Sequence, residues 1–446
     1  MLAALAGAAS SAHAQFFTPG DLVVSTYGVG GGFLDGVSTP ITLMEFTTSG
    51  TFVRSLTLPT TDSGANFGIV GEYGSSSEAN LQLSGDGHSL LIAGYQADAA
   101  NAGIGGNAAL AYSDANGTAL AQSFSISNGS NIIVPRVAAV ISANGSVNTS
   151  TIFKNLYDQN NARSVWSQNG TTLYVSGQGS GLTDQGIFKI TAGSNNVANG
   201  TPAPTPISAN TGLSTRIVTT FDGNMYYSTD VKNVATGIFE YSGIPNSAAS
   251  AVAVTPANNG LSGSSLVTYS PAGFFFANDT TLYVADTGAP KNKATGNGGI
   301  QKWTFNGSAW VLDYTLLPSS FVHNYNDKTS SLTDGEVGFG SITGLVIGGN
   351  VELFAVSYTI GDADTDGLYA VNDTLSALTN PGDNFTLLQT GPGVGNVAGN
   401  LTAGGIVFKS VSFAPSAIPE PSTYALLLGA ATLGFCCWRR RTPAAA

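Results

Sequence analysis

The run Thr172-Leu-Tyr-Val-Ser-Gly177 decides the reading of this chain, because it recurs. The same pattern, an apolar strand that follows a turn and ends on a small or polar residue, is found in Asp21-Leu-Val-Val-Ser-Thr26, Ser89-Leu-Leu-Ile-Ala-Gly94, Asn224-Met-Tyr-Tyr-Ser-Thr229, Thr281-Leu-Tyr-Val-Ala-Asp286 and Glu352-Leu-Phe-Ala-Val-Ser357. Short apolar runs rich in β-branched or aromatic residues and bounded by turn residues mark these segments as strands. Five of the six copies are preceded by another β-like run and a turn: Leu81 to Gly87, Ser164 to Gly170, Val218 to Gly223, Gly273 to Asn278 and Ile342 to Gly349. Asn-Gly and Asp-Gly in those turns supply the positive φ angles that tight hairpins need. A third run often begins at glycine, as in Gly186-Ile-Phe-Lys-Ile190, Gly237-Ile-Phe-Glu-Tyr241, Gly299-Ile-Gln-Lys-Trp303 and Gly367-Leu-Tyr-Ala-Val371, with Ile41 to Phe46 and Arg136 to Ile141 in the same slot. Val53 to Leu58 and Val311 to Leu316 supply a fourth.

Four antiparallel strands per repeat form the blade of a β-propeller, so the expected fold is all-β, a single propeller of six four-stranded blades. The N-terminal copy lacks a first strand, and Ile406-Val-Phe-Lys-Ser-Val-Ser-Phe413 is a strand without partners. Pairing it with Asp21 to Thr26 would close the ring and remove exposed sheet edges. The repeat averages about 65 residues against roughly 40–45 in compact propellers, so the excess sits in loops. A seventh blade is the alternative, drawn from Ala108-Ala-Leu-Ala-Tyr112 and Ala119-Leu-Ala-Gln-Ser-Phe124.

Composition agrees with an exported β-rich protein. The chain has 446 residues, 42% hydrophobic and only 9% charged, with 57 Gly, 18 Pro and 2 Cys. Its net charge of −12 offers no field to attract nucleic acid. Both cysteines, Cys436 and Cys437, lie near the C-terminus, so residues 15–417 can form no disulfide framework, thiolate metal site or cysteine nucleophile.

Two terminal segments read as addresses. Residues 1–14 end in Ala12-His13-Ala14, the small-x-small pattern of signal-peptide cleavage, after a short apolar stretch. No Lys or Arg precedes that stretch, as expected if the start codon is assigned too far downstream. Residues 418–446 contain Pro419-Glu420-Pro421, an apolar run from Tyr424 to Trp438, and Arg439, Arg440 and Arg441. As a helix the run would be roughly 22 Å long, a marginal transmembrane span, with the arginines holding its end on the cytoplasmic side. This tail resembles the PEP-CTERM sorting signal of Gram-negative bacteria. The resemblance implies an exosortase as partner, processing near Pro419 to Pro421, transient anchoring in the inner membrane, and delivery to the envelope or exterior in connection with extracellular polysaccharide. A plain membrane anchor is the alternative.

Candidate chemistry is sparse. Asp362-Ala-Asp364-Thr-Asp366-Gly367 with Asp373 at the twelfth position has the spacing of a calcium loop, and resembles the calcium loops of EF-hands and the Asp-rich loops of some propellers. The flanks read as strands and Gly367 is already explained as a strand start, so a solvated acidic turn competes with calcium binding. His88 reads as an exposed turn residue, and His323, near Tyr325 and Asp327, as a residue that could face the propeller mouth. No Gly-x-Ser-x-Gly elbow is present. Glu72, Glu78, Asp184, Asp222 and Glu336 are carboxylates available for glycoside chemistry, which spacing alone does not rank. Gly28-Val-Gly30-Gly-Gly32 leads into a loop and not a helix, so it is no phosphate site. Trp166, Trp303, Tyr226, Tyr227 and Phe274 to Phe276 are expected in the core, leaving Tyr73, Tyr95 or Tyr325 for any sugar platform. The leading expectation is a non-catalytic binding or structural protein of the envelope or matrix, associated with polysaccharide. The alternative is an extracellular hydrolase or lyase acting on polysaccharide, which should gather carboxylates, His323 or arginines at the mouth, where a structural propeller should place Gly, Ser and apolar groups.

Overall fold

The computed structural model describes residues 15–417 except 29–37, 73–74, 76, 97–133, 198–201, 209–212, 232–234, 256–268, 289–297, 322–334, 360–364, 383 and 392–405. Both terminal addresses and the segments proposed for a seventh blade lie outside the described residues, as do Tyr73, Asp362, Asp364, His323 and Tyr325. No helix among the described residues is long and apolar enough to cross a membrane.

The described chain is all-β. Its strands are β1 (Leu22–Tyr27), β2 (Ser38–Phe46), β3 (Phe52–Thr57), β4 (Val70–Glu72), β5 (Gln82–Leu83), β6 (Ser89–Tyr95), β7 (Arg136–Ser142) and β8 (Val147–Phe153). There follow β9 (Ala162–Ser167), β10 (Thr172–Gly177), β11 (Gly186–Thr191), β12 (Thr205–Pro206), β13 (Thr215–Phe221), β14 (Asn224–Val231), β15 (Ala235–Tyr241) and β16 (Val252–Ala253). The remainder are β17 (Pro271–Asn278), β18 (Thr281–Asp286), β19 (Gly299–Phe305), β20 (Trp310–Leu316), β21 (Glu336–Ile347), β22 (Asn350–Thr359), β23 (Gly367–Thr374), β24 (Phe385–Thr390) and β25 (Val407–Phe413).

Four sheets have four strands each, β9–β12, β13–β16, β17–β20 and β21–β24, antiparallel and in chain order. A nine-stranded sheet holds the rest as two groups of four, β25-β1-β2-β3 and β5-β6-β7-β8, joined by the short β4, which pairs with β2 and β6. The expected union of the chain ends is present, with Leu22 opposite Phe413 and Tyr27 opposite Val407. Every copy of the repeated motif is the second strand of its group. At the β13–β14 turn Asp222 and Gly223 have φ of 45° and 77°, as a two-residue hairpin needs. The glycines at or near the start of third strands admit the fourth strand or its flank: a Cβ on Gly237 would sit 2.8 Å from the Thr255 carbonyl, and one on Gly299 2.7 Å from that of Leu316.

Among the described residues, six apolar clusters lie between successive groups. Leu91, Val165 and Val175 join the second group to the third; Trp166, Val218 and Tyr227 the third to the fourth; Ile217, Leu282 and Trp303 the fourth to the fifth; and Ala285, Phe339 and Leu353 the fifth to the sixth. Tyr27, Leu90 and Ile92 join the first to the second, and Leu22, Phe354, Phe408 and Val411 bring the sixth back to the first. The first strands follow the same circuit, β5 against β9, β9 against β13, β13 against β17, β17 against β21, β21 against β25 and β25 against β5.

The polar residue late in the motif has a specific job. Ser25 Oγ donates to the Ala79 carbonyl at 2.6 Å, Ser176 Oγ to that of Arg216 at 2.9 Å, and Ser228 Oγ to that of Ala272 at 2.6 Å. Each bond ties a second strand to the first-strand segment of the next group. A serine is needed because a buried carbonyl left without a donor costs free energy. Replacing Ser176 or Ser228 by alanine is expected to lower stability by about 1–3 kcal/mol each, read by urea denaturation; an unchanged midpoint would show that these latches do not hold the sheets together.

Candidate functional site

The third residue of each motif copy pairs with Ser412, Gln82, Trp166, Thr219, Phe275 and Thr343 on the neighbouring first strand. Three residues earlier on those strands stand Lys409, Ala79, Arg163, Arg216, Ala272 and Gly340. Three equivalent positions therefore carry cations and three carry small residues, all at the end where second strands finish and long connections such as 96–135, 254–270 and 317–335 leave the sheets. A small cavity of about 30 Å³ opens there, lined by Asn80, Arg216, Tyr358, Asp366, Phe408 and Lys409 among others.

Asp366 lines it, and Asp230 and Asp286 act on Arg216 in its wall. Arg216 forms an ion pair with Asp230 and donates to Ser270 Oγ at 3.1 Å. Burial raises the Asp230 carboxyl, but Arg216 and Arg163 outweigh it and hold the group below its usual range. Arg163 donates to Ser214 Oγ at 2.8 Å and Gln178 Oε1 at 2.5 Å. Burial and the neighbouring Arg216 lower its pKa to about 10. Asp286 accepts from the Ser270 and Gly288 amides at 2.9 and 2.8 Å and from Gln301 at 2.9 Å, yet burial pushes it up to about 7. Asp366 is 3% exposed and raised well above the carboxylate range by burial, against the Phe408 amide and Lys409. Its Oδ1 is buried with no hydrogen-bond partner. Burial thus favours the protonated form of this carboxyl, as it does for many functional acids.

Beside this cavity, Glu78 binds Tyr27 OH at 3.0 Å, the Glu72 amide at 3.2 Å, Asn161 at 2.6 Å and Tyr95 OH. Burial raises its pKa as well. Arg136 stacks 4.6 Å over the Tyr95 ring, and Lys409 lies 5.1 Å over that of Tyr27.

The structure sorts the expected residues. Glu78 and Asp366 belong to this region. Glu336 accepts from Tyr369 OH at 2.6 Å, and burial raises it. Asp184 caps its own loop through the Gly181 amide at 2.8 Å and ties it to the β8–β9 connection through the Asp158 amide at 3.1 Å, and Asp222 lies in a hairpin turn at the other end of the sheets. Trp166, Trp303, Tyr226, Tyr227, Phe274 and Phe276 are core as expected. Three expectations are corrected. Tyr95 is no sugar platform, because it is the last residue of β6, 1% exposed and bound to Glu78. His88 sits in the turn as expected but is half-buried and not exposed: its Nδ1 lies 2.7 Å from the Ser416 carbonyl, and the Ser416 amide donates to Gly87 at 2.9 Å. Asp373 cannot share a calcium ion with Asp366, since seven residues of extended β23 put them roughly 20 Å apart, and Lys302 holds Asp373 in an ion pair of 2.9 Å. No group of three or more His, Cys, Asp or Glu suited to a metal exists among the described residues.

Sequence reasoning missed Arg163, Arg216, Asp230, Asp286 and Lys409. The available signal was position, a charge at the start of a first strand or the end of a second, where the strands of every group converge.

No family model matches this chain, and no curated protein matches it. Among solved structures it is similar to a GH74 enzyme of Niastella koreensis, with 14% identity over 81% of this chain and 46% of that one and a TM-score of 0.38. An ulvan lyase of polysaccharide lyase family PL25 shows 10% identity over 84% and 87% of the two chains, with a TM-score of 0.37. A GH74 xyloglucanase of Xanthomonas campestris shows 13% over 78% and 45%, with a TM-score of 0.32. The chain spans about half the length of the GH74 enzymes it matches.

The buried carboxyls predict a pH dependence. An acid whose folded pKa exceeds its unfolded one lets the folded state bind more protons between the two values. Asp286, raised from 3.8 to about 7, therefore stabilises the fold fully below about pH 4 and loses that contribution as pH rises to about 7. The loss is a few kcal/mol at most. Thermal melts are expected to show a fall in Tm across that window that is smaller in Asp286→Asn; an identical slope in both proteins would remove Asp286 as its source.

Proposed function

We propose that this protein is an exported β-propeller of six blades that engages an extracellular polysaccharide at the end of its channel bearing Arg163, Arg216 and Lys409, with the acid–base equipment of a hydrolase or lyase. The observation that carries the reading is the meeting of those cations with Asp286 and Asp366, carboxyls raised by burial, where a purely structural propeller would place small and apolar groups. The continuous circuit of first strands and of apolar clusters supports closure of the six groups into one ring. In this reading a guanidinium or ammonium neutralises an acidic sugar substituent. Asp366, pushed toward its protonated form by burial and lacking a partner on Oδ1, supplies a proton to a leaving oxygen.

Non-catalytic binding is the second reading, favoured by how much of the charge is already used internally: Arg216 by Asp230, and Lys409 by the Ser75 carbonyl at 2.5 Å. In both readings residues 1–14 direct export and residues 418–446 are sorted by an exosortase. Ser416 is held at the β5–β6 turn, at the end of the sheets opposite the cations. A tail inserted in the membrane thus leaves the charged mouth facing outward.

The full-length chain is to be incubated with neutral and acidic polysaccharides, following new reducing ends and the ultraviolet absorbance of unsaturated products. Turnover is expected on an acidic polymer, with Asp366→Asn slower by roughly 10²–10⁴-fold at similar affinity. Saturable binding without turnover would select the second reading, and neither binding nor turnover would overturn both. For sorting, the C-terminus of the mature chain is expected near Pro419 to Pro421 only in cells with an exosortase; the same C-terminus in cells lacking one would contradict it.

A further inference from the structure

A second buried cluster takes no part in the site above. Lys302 on β19 is flanked across the sheet by Tyr283 on β18 and Tyr314 on β20, and all three meet Asp373 on β23 of the next sheet. The side chains of Lys302 and Asp373 are 0% exposed, and Nζ lies 2.9 Å from Asp373 Oδ2. Tyr314 OH is 3.1 Å from Nζ and 2.7 and 2.8 Å from the two carboxylate oxygens. Tyr283 OH donates to Oδ2 at 2.5 Å, and Nζ donates to the Thr374 carbonyl at 2.7 Å. An amine and a carboxyl are thus held in contact, away from water, with one hydroxyl bridging them and a second on the carboxyl. As an ion pair this arrangement is a weak source of stability, because dehydrating both charges offsets their attraction.

We infer that Lys302 and Asp373 condense into an isopeptide bond that joins the sheets β17–β20 and β21–β24. Tyr314, in contact with both groups, relays one proton from Nζ to the carboxylate, converting the ion pair into amine and carboxylic acid. The Nζ lone pair then attacks Cγ, at a proximity that replaces a bimolecular encounter. Tyr283 and Tyr314 hydroxyls stabilise the oxygen of the tetrahedral adduct. The N–C bond forms, the C–OH bond breaks, and the hydroxyl leaves with a second amine proton as water. The step consumes no oxidant or cofactor. It gives a cysteine-free exported body a covalent link of the kind disulfides supply elsewhere, closing the chain between residues 302 and 373.

The test is peptide mass spectrometry on the folded full-length chain, denatured and digested with trypsin. A linked pair of peptides carrying residues 302 and 373, lighter than their sum by one water and uncleaved after Lys302, is the expected result. Lys302→Arg keeps the charge but should give two separate peptides. Asp373→Asn should give the same linked pair with loss of ammonia in place of water. Separate peptides of unreduced mass from wild-type protein after prolonged incubation would overturn the inference. Tyr314→Phe is expected to slow the appearance of the link, and an unchanged rate would overturn the relay.

Discussion

Everything in this molecule depends on β25 lying beside β1. A chain that begins with the second strand of a sheet leaves that strand with an open edge, and open edges are sites of uncontrolled pairing. Here Val411 faces Val24 and Ser410 faces Ser25 across the junction. Ser410 Oγ also lies 2.9 Å from Ser341 Oγ, and Ser341 Oγ in turn accepts from the Val411 amide at 3.0 Å. One strand from the far end of the chain therefore completes the first sheet and docks it on the last. Phe408 packs 6.1 Å from Phe46 by ring centroids, so apolar contact and polar latch act at the same junction.

The cluster of cations follows from that constraint. When successive first strands run side by side, residues three places before their pairing with the motif come together, whatever they are. At Ala79, Ala272 and Gly340 the chain keeps them small; at Arg163, Arg216 and Lys409 it places cations whose neighbours are strand-end and loop carboxylates. Desolvation then separates the acids by role. Asp230, beside two guanidinium groups, is held ionised, whereas Asp286 and Asp366 are pushed toward their protonated forms. Differences of this kind between nearby carboxyls allow one site to hold a counter-ion and a proton donor together.

The parts of the fold that were legible are those that burial writes into the sequence as short apolar runs bounded by turn residues. Thr281 to Asp286 is buried along its whole length, and its apolar residues could be read as a strand without help from any partner. Outer strands lack that signature: Phe385 to Thr390 is half exposed along its length and β16 is a two-residue exposed ladder, so neither stood out. The site was harder to read for a different reason. Asp286 looks like a strand terminator until three donors and burial are known, and Arg163 and Arg216 look like solvated charges until the neighbouring sheets close over them. Asp373 illustrates the opposite error. Counting twelve positions from Asp362 assumes a loop that folds back, whereas the chain from Gly367 runs straight as β23 and delivers Asp373 to Lys302.

The integrity of the fold turns on whether β25 is an integral member of the first sheet. Native-state hydrogen exchange resolved by peptide is the direct measurement. If closure holds the sheets together, amides of residues 407–413 exchange as slowly as those of residues 22–27, and both exchange only with global unfolding. Fast exchange of residues 407–413 while residues 22–27 stay protected would mean that the fold persists without its closing strand, and would contradict the account.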